Sequence, residues 1–184
     1  ALGEPYRTLL GHFRHEVGHW YWDQLVRDTA WRAPFTALFG DADQDYAAAL
    51  KHHYARGPQP GWQDSFVSAY AGSHPWEDFA ETWAHYFHMI DTLDTGGSFG
   101  IVLSPRLDRD HLLSTSLDFD VYDRGLAMTT LHDAWVALSS ALNSFNRSMG
   151  LTDPYPFVLS PKVVEKLGFI HALIRGHAPP AGAL

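Results

Sequence analysis

The chain has 184 residues, 46% of them apolar and 18% charged, which suits one globular domain and argues against wholesale disorder. Its 13 basic and 21 acidic residues give a net charge of −8, which disfavours nucleic acid and anionic membranes as partners. The absence of cysteine excludes disulfides, cysteine zinc fingers and thiol nucleophiles. No membrane-spanning run and no signal peptide is recognisable, so a cytoplasmic location is expected.

Apolar residues at helical spacing predict a series of helices with little strand signal. Five helices are expected, over residues 5–27, 43–55, 75–93, 124–149 and 162–174. Asp41 or Asp43 is expected to cap the second helix and Gly57-Pro58 to stop it, while Gly96-Gly97 is expected to end the third. Residues 99–103 are the one plausible strand. The sequence therefore predicts a mainly α fold with at most a very short strand pair, one domain over residues 1–175 and a flexible tail over 176–184.

The first predicted helix contains the sequence H-E-x-x-H, formed by His15, Glu16 and His19 with two residues between the last two. Side chains at positions i and i+4 share one face of a helix, so both imidazoles can reach one metal ion. Glu16 would lie beside that ion, where a carboxylate can accept a proton from a metal-bound water. This pattern predicts a zinc site that activates water.

A third protein ligand is needed, and spacing tests the known classes. Trp22 and Leu25 occupy the positions where a metzincin has glycine and histidine, so that class is excluded. Gluzincins take a glutamate from a later helix, and this chain offers Glu77 and Glu81 one helical turn apart. One of the pair is expected to bind the metal, and the other to hold a histidine ligand through its second ring nitrogen.

Three further polar residues are candidates for the site. His12 lies on roughly the same helix face as the two motif histidines, as a rival ligand or as a partner of the ligands. His74 is a candidate for substrate contact, with a place at the start of the third helix as its alternative. Arg147 is a candidate for recognising a substrate carboxylate or carbonyl, with an ordinary surface arginine as its alternative.

Several segments resemble known families. Residues 70–81 resemble the second active-site block of lethal-factor-type gluzincins, in which a tyrosine lies seven residues before the metal-binding glutamate. Residues 11–19, 76–86 and 143–150 are similar to the bacterial family of putative zinc-binding metallopeptidases, and the similarity extends over about residues 4–174. The resemblance implies a gluzincin-like helical zincin domain, with His15, His19 and Glu77 as Zn²⁺ ligands and Glu81 as the hydrogen-bond partner of His15.

The same resemblance implies a catalytic role for two further residues. Glu16 would be the general base and acid, and Tyr70 the phenol that donates a hydrogen bond to the oxyanion. The implied activity is zinc-dependent hydrolysis of amide bonds in a peptide or protein substrate. The alternative is a non-catalytic zinc-binding structural or interaction domain that retains the site. Family members usually carry an upstream cysteine-rich zinc-ribbon-like segment and strands. Two alternatives are therefore open: this chain is a C-terminal fragment of a longer protein, or it lacks the sheet edge that gluzincins use to hold an extended substrate.

Overall fold

The computed structural model describes residues 8–106 and 108–179. The described residues form six helices, which are α1 (Leu9–Leu25), α2 (Arg32–Phe39), α3 (Tyr46–Arg56), α4 (Pro75–Ser98), α5 (Met128–Ser148) and α6 (Pro161–Arg175). They also form two single-turn 3-10 helices, Trp62–Asp64 and Ala71–Ser73, and two strands, β1 (Val102–Leu103) and β2 (Thr115–Ser116). The predicted mainly α fold with a very short strand pair is thus confirmed. Pro5 and the end of the predicted tail, residues 180–184, lie outside the described residues.

The chain divides into two compact units, and α4 contributes to both. One unit contains residues 8–86 and 157–179, and the other contains residues 87–156. In the second unit β1 and β2 pair antiparallel, and the side chain of Asn143 on α5 exchanges two hydrogen bonds with the backbone of Tyr155. Among the described residues, none of the helices combines the length and the apolar character needed to cross a bilayer.

Capping residues set where α1 and α3 begin. Thr8 accepts a hydrogen bond from the amide of Gly11 and caps α1, which starts at Leu9. Asp45 accepts from the amide of Ala48 at 3.0 Å and caps α3, in place of the predicted Asp41 or Asp43. The predicted stop of α3 is confirmed, since Gly57 adopts a positive φ of 75° directly after the helix.

The short helix α2 was not predicted, because Pro34 was interpreted as a helix stop. Pro34 occupies the third helical position, where the amide has no partner within the helix, so proline is tolerated there. The helix buries Phe35 and Phe39, which stack at 5.0 Å. Phe39 also packs against Phe169 of α6 and Phe79 of α4, which gives the first unit an aromatic core.

The end predicted for α4 at Gly96-Gly97 was wrong, because the helix continues to Ser98. A Cβ at Gly96 would lie 2.5 Å from the side chain of Leu117, and one at Gly97 would lie 2.9 Å from the Leu117 carbonyl. These glycines therefore allow a close approach of the chain rather than stopping the helix. The stop is Gly100, with a φ of 64°, and the Ile101 amide bonds to the Gly96 carbonyl in the usual helix-ending pattern.

Candidate metal centre

Helices α1 and α4 approach each other closely at Gly18, the residue before the second motif histidine. A Cβ at this position would lie 3.1 Å from the Cα of Ala80 and 3.1 Å from the ring of Trp83. Both neighbours are buried, so they leave little room for a larger side chain. The missing side chain lets the helix that carries His15 and His19 lie directly against α4.

Three ligand-type atoms converge between these helices. His15 Nε2 lies 3.1 Å from His19 Nε2 and 3.0 Å from Glu77 Oε2, and the distance between His19 Nε2 and Glu77 Oε2 is 3.4 Å. A tetrahedral zinc ion with bonds of about 2.0–2.1 Å separates its ligand atoms by roughly 3.3–3.4 Å. Glu77 Oε2 is buried and has no donor with hydrogen-bond geometry in the described part of the chain. The three side chains therefore fit one zinc ion.

The ring of His15 is oriented by a buried carboxylate on α4. His15 Nδ1 lies 2.7 Å from Glu81 Oε1, and the hydroxyl of Ser68 donates to the other carboxylate oxygen at 2.7 Å. Burial alone would raise the pKa of Glu81, but the bonds with His15 and Ser68 hold it below its ordinary value. An ionised carboxylate only accepts hydrogen bonds, so Nδ1 carries a proton and Nε2 faces the other two ligand atoms.

Glu77 is held by a tyrosine that the sequence did not predict. The hydroxyl of Tyr46, the first residue of α3, donates to Glu77 Oε1 at 2.6 Å, so the other oxygen, Oε2, is the one that faces the two imidazoles. Burial alone would raise the pKa of Glu77, but His15, His19 and Tyr46 hold it well below its usual range. Burial likewise would lower the pKa of His15, yet its two carboxylate partners raise it to about 9. The centre concentrates negative charge that a divalent cation would neutralise.

Tyr70 belongs to the same hydrogen-bonded group. Its hydroxyl bonds to that of Tyr46, and because Tyr46 gives its own proton to Glu77, Tyr70 is the donor. Its ring centroid lies 6.1 Å from that of His15. Burial and the nearby charge of Glu77 raise the pKa of Tyr70, so it stays a neutral phenol with a proton to donate.

Glu16 and His12 lie on an exposed part of α1. The side chain of Glu16 is 58% exposed, and its Oε1 lies 3.7 Å from His12 Nε2. His12 is not among the three converging ligands, although its ring stacks on that of His15 at 6.4 Å. The carboxylate of Glu16, next to His15 in the sequence, is therefore open to water.

The two candidate substrate contacts lie in different surroundings. His74 is buried directly before α4, where its Nδ1 accepts from the amide of Trp76 and its Nε2 bonds to the carbonyl of Gln44. It therefore starts the helix, and contact with substrate stays a prediction. Arg147 belongs to the unit of residues 87–156, where its exposed guanidinium pairs with Asp153, and its predicted role is equally open.

Comparison with known proteins gives two kinds of match. Residues 1–173 match the model of a family described as "Putative zinc-binding metallo-peptidase". Uncharacterized proteins of Mycobacterium bovis and of two strains of Mycobacterium tuberculosis are each 48% identical over 180 residues, which is 97% of this chain and 50% of each relative. The chain thus spans about half the length of the curated relatives it matches, and no solved structure matches it. The family match covers nearly the whole chain, which therefore belongs to the family of putative zinc-binding metallo-peptidases.

Proposed function

We propose that the chain is a zinc-dependent peptidase of the gluzincin type, with His15, His19 and Glu77 as the zinc ligands. The observation that supports this most strongly is the convergence of these three side chains within 3.4 Å of one another. The carboxylate of Glu81 on His15 adds the outer partner that a zinc-bound histidine commonly has.

Glu16 carries the proton in the proposed reaction. Zn²⁺ bound by the three ligands would supply a Lewis acid that polarises the substrate carbonyl and acidifies a water molecule. Glu16 accepts the proton that this water loses as its oxygen bonds to the carbonyl carbon. Glu16 then passes the proton to the leaving amine as the carbon–nitrogen bond breaks. The exposed position of Glu16 suits this exchange with water and substrate.

Tyr70 donates a hydrogen bond to the oxygen that gains negative charge when water adds to the carbonyl. Such donors commonly contribute about 100- to 1,000-fold to turnover. The raised pKa of Tyr70 keeps its proton available. Tyr46 remains bonded to Glu77, so the metal ligand keeps its partner while Tyr70 turns to the substrate.

The proposed substrate is a peptide or protein, since the net charge of −8 suits neither nucleic acid nor an anionic membrane. The relatives are about twice as long as the chain. We therefore propose the same peptidase activity for a longer protein that contains this chain. A zinc-ribbon-like segment and strands upstream of the chain are proposed as partners within such a protein.

The proposal is tested by Glu16→Gln, with Glu165→Gln as the control at an exposed glutamate on α6. Zinc content would be measured by metal analysis, and cleavage of a mixed peptide library by mass spectrometry. We expect both variants to keep one zinc per chain, while Glu16→Gln loses about 100- to 10,000-fold of the wild-type cleavage rate. Full cleavage by Glu16→Gln would contradict the mechanism. Bound zinc without chelator-sensitive cleavage by the wild type would favour the non-catalytic alternative.

A further inference from the structure

A cleft of about 540 Å³ adjoins the candidate metal centre and shares two residues with it. Tyr46 lines the cleft and also donates to Glu77, and Trp76 lines the cleft while its ring lies 3.8 Å from that of His19. Pockets for small ligands commonly measure roughly 300–1,000 Å³. A substrate placed over the metal therefore has room for one of its groups in this cleft.

Two tryptophans line the cleft, and their indole nitrogens are buried away from solvent. Trp22 is only 4% exposed, and its indole Nε1 has no acceptor in the described part of the chain. The indole Nε1 of Trp76 is in the same situation. Because these nitrogens are buried, the two rings offer the cleft an aromatic wall rather than hydrogen-bond donors.

Two guanidinium groups supply hydrogen-bond donors to the cleft. Arg32 and Arg27 line the cleft and lie over the Trp22 ring, at 5.1 and 5.4 Å from its centroid. A guanidinium presents its N–H groups as a planar fork that matches a carboxylate, and its face stacks on an aromatic ring. Arg27 also pairs with Asp23, four residues earlier in the chain, at 2.6 Å, so Arg32 is the guanidinium better placed for an anionic group.

The two aspartates that line the cleft are exposed to solvent. Asp43 pairs with Arg32 at 2.8 Å, but the aspartate side chain is 82% exposed. Asp28 is also exposed. Ion pairs with an exposed partner contribute little to stability, so a substrate carboxylate can displace Asp43 from Arg32.

We propose that this cleft binds a carboxylate group of the substrate, with Arg32 as its main contact. The carboxylate comes from an acidic side chain next to the scissile bond or from a free C-terminus. This inference rests on the proposed peptidase function. In a peptidase, the cleft would determine a preference for peptides with a carboxylate beside the scissile bond.

Binding would be measured by isothermal titration calorimetry on the zinc-free chain, so that the metal itself cannot bind the carboxylate. Zinc is removed with 1,10-phenanthroline and dialysis, because EDTA carries carboxylates of its own. The probes are N-acetylglutamate, its α-amide, N-acetylglutamine and N-acetylglutamine amide. We expect N-acetylglutamine amide to bind at least tenfold more weakly than the best carboxylate probe. The two singly charged probes then distinguish a side-chain carboxylate from a terminal one. Equal binding of all four probes, or binding of none, would overturn the proposal.

Variants test the role assigned to Arg32. Arg32→Gln should weaken carboxylate binding at least tenfold, and Arg56→Gln, at an exposed arginine of α3 outside the cleft, should not change it. Asp43→Asn removes the competing carboxylate and should strengthen binding up to about fivefold. If Arg32→Gln does not fold, carboxylate binding is measured with Arg32→Lys and Asp43→Asn instead. A merely structural ion pair would give no gain in Asp43→Asn, and that result would overturn the proposal.

A cleavage measurement separates this inference from the proposed function. The zinc-loaded wild type should cleave peptides that carry glutamate beside the scissile bond, or a free C-terminus, at least tenfold faster in kcat/KM than their glutamine or amide counterparts. Arg32→Gln should reduce that ratio towards one. Cleavage without any preference overturns the inference and leaves the peptidase proposal standing. Carboxylate binding by a chain that never hydrolyses peptides would support the inference about the cleft and would contradict the proposed peptidase function.

Discussion

The carboxylate of Glu77 divides its two oxygens between two tasks. Oε1 accepts the hydroxyl proton of Tyr46, while Oε2 lies within 3.4 Å of both imidazole nitrogens. His15 is divided in the same way, with Nδ1 on Glu81 and Nε2 towards the centre. Each of these two side chains thus presents one oriented atom to the centre, which would reduce the cost of ordering that atom on binding of a zinc ion.

The first test at this scale is Tyr46→Phe, which removes one hydroxyl and keeps the ring. Loss of an outer hydrogen bond to a metal ligand typically costs about 10- to 100-fold in metal affinity, and we expect a fall in that range. Competition with a chromophoric chelator measures the zinc dissociation constant. Tyr54→Phe, at an exposed position of the same helix, is the control. An unchanged dissociation constant for Tyr46→Phe would show that the hydroxyl does not support Glu77.

The three residues that converge at the candidate metal centre were easier to predict from the sequence than the residues that support them. The histidines are four residues apart on one helix, and Glu77 with Glu81 repeats this spacing on another, so the pattern is local and readable. Tyr46 and Ser68 reach the glutamates from α3 and from a loop. Their contacts depend on tertiary packing, which leaves no spacing pattern in the sequence.

At the scale of elements, the metal centre depends on how closely α1 lies against α4. Gly18 allows that approach, and beside it the ring of Tyr21 stacks on that of Trp83 at 4.8 Å. From the other end of the described chain, Lys166 of α6 binds the buried carboxylate of Asp78, next to Glu77, at 2.6 Å. The elements around α4 therefore fix the position of the helix that carries Glu77.

A substitution at Gly18 tests this dependence. Gly18→Ala gains helix propensity, worth about 1 kcal/mol, but its Cβ meets a backbone atom and a buried ring, and such overpacking costs roughly 1–3 kcal/mol. We expect a net loss of about 1 kcal/mol in the free energy of unfolding together with weaker zinc binding. Gly168→Ala in α6, where a Cβ meets nothing within 4 Å, should instead stabilise the protein. Urea unfolding measures both, and equal stabilisation by the two substitutions would contradict the account.

The elements were predictable where their signals were local. The long helices show apolar periodicity, and Gly57 stopped α3 as expected. The eight residues of α2 are too few for that signal, and Pro34 seemed to forbid a helix. Gly96 and Gly97 were misinterpreted because their role is to make room for Leu117, a partner some twenty residues away.

At the scale of the whole molecule, the titrating groups of the metal centre couple folding to pH. The pKa of Glu77 is lowered from its ordinary value of 4.5. The ionised carboxylate therefore stabilises the folded chain at pH values above 4.5, and this contribution is lost in acid. The pKa of His15 is raised to about 9, so its contribution is complete below 6.5 and is lost as the pH rises through 9. These two groups should thus make the zinc-free chain most stable between pH 4.5 and pH 6.5, the ordinary pKa values of glutamate and histidine.

This pH dependence is measurable by urea unfolding of the zinc-free chain. Between pH 6.5 and 9 we expect the free energy of unfolding to fall by roughly 1–3 kcal/mol. Saturating zinc should abolish most of that fall, because zinc binds the deprotonated imidazole and therefore competes with its protonation. A zinc-free chain of constant stability across this range would contradict the assigned contacts of His15.

The most direct test of the metal centre is the zinc affinity of Glu77→Ala compared with that of the wild type. Chelator competition should give one zinc per chain in the wild type. Because loss of an outer partner alone costs about 10- to 100-fold, loss of this ligand should weaken binding by more than about 100-fold. Glu165→Ala, at an exposed glutamate, should bind zinc as the wild type does. An unchanged zinc affinity in Glu77→Ala would show that the third ligand is another residue and would contradict the site described for this protein.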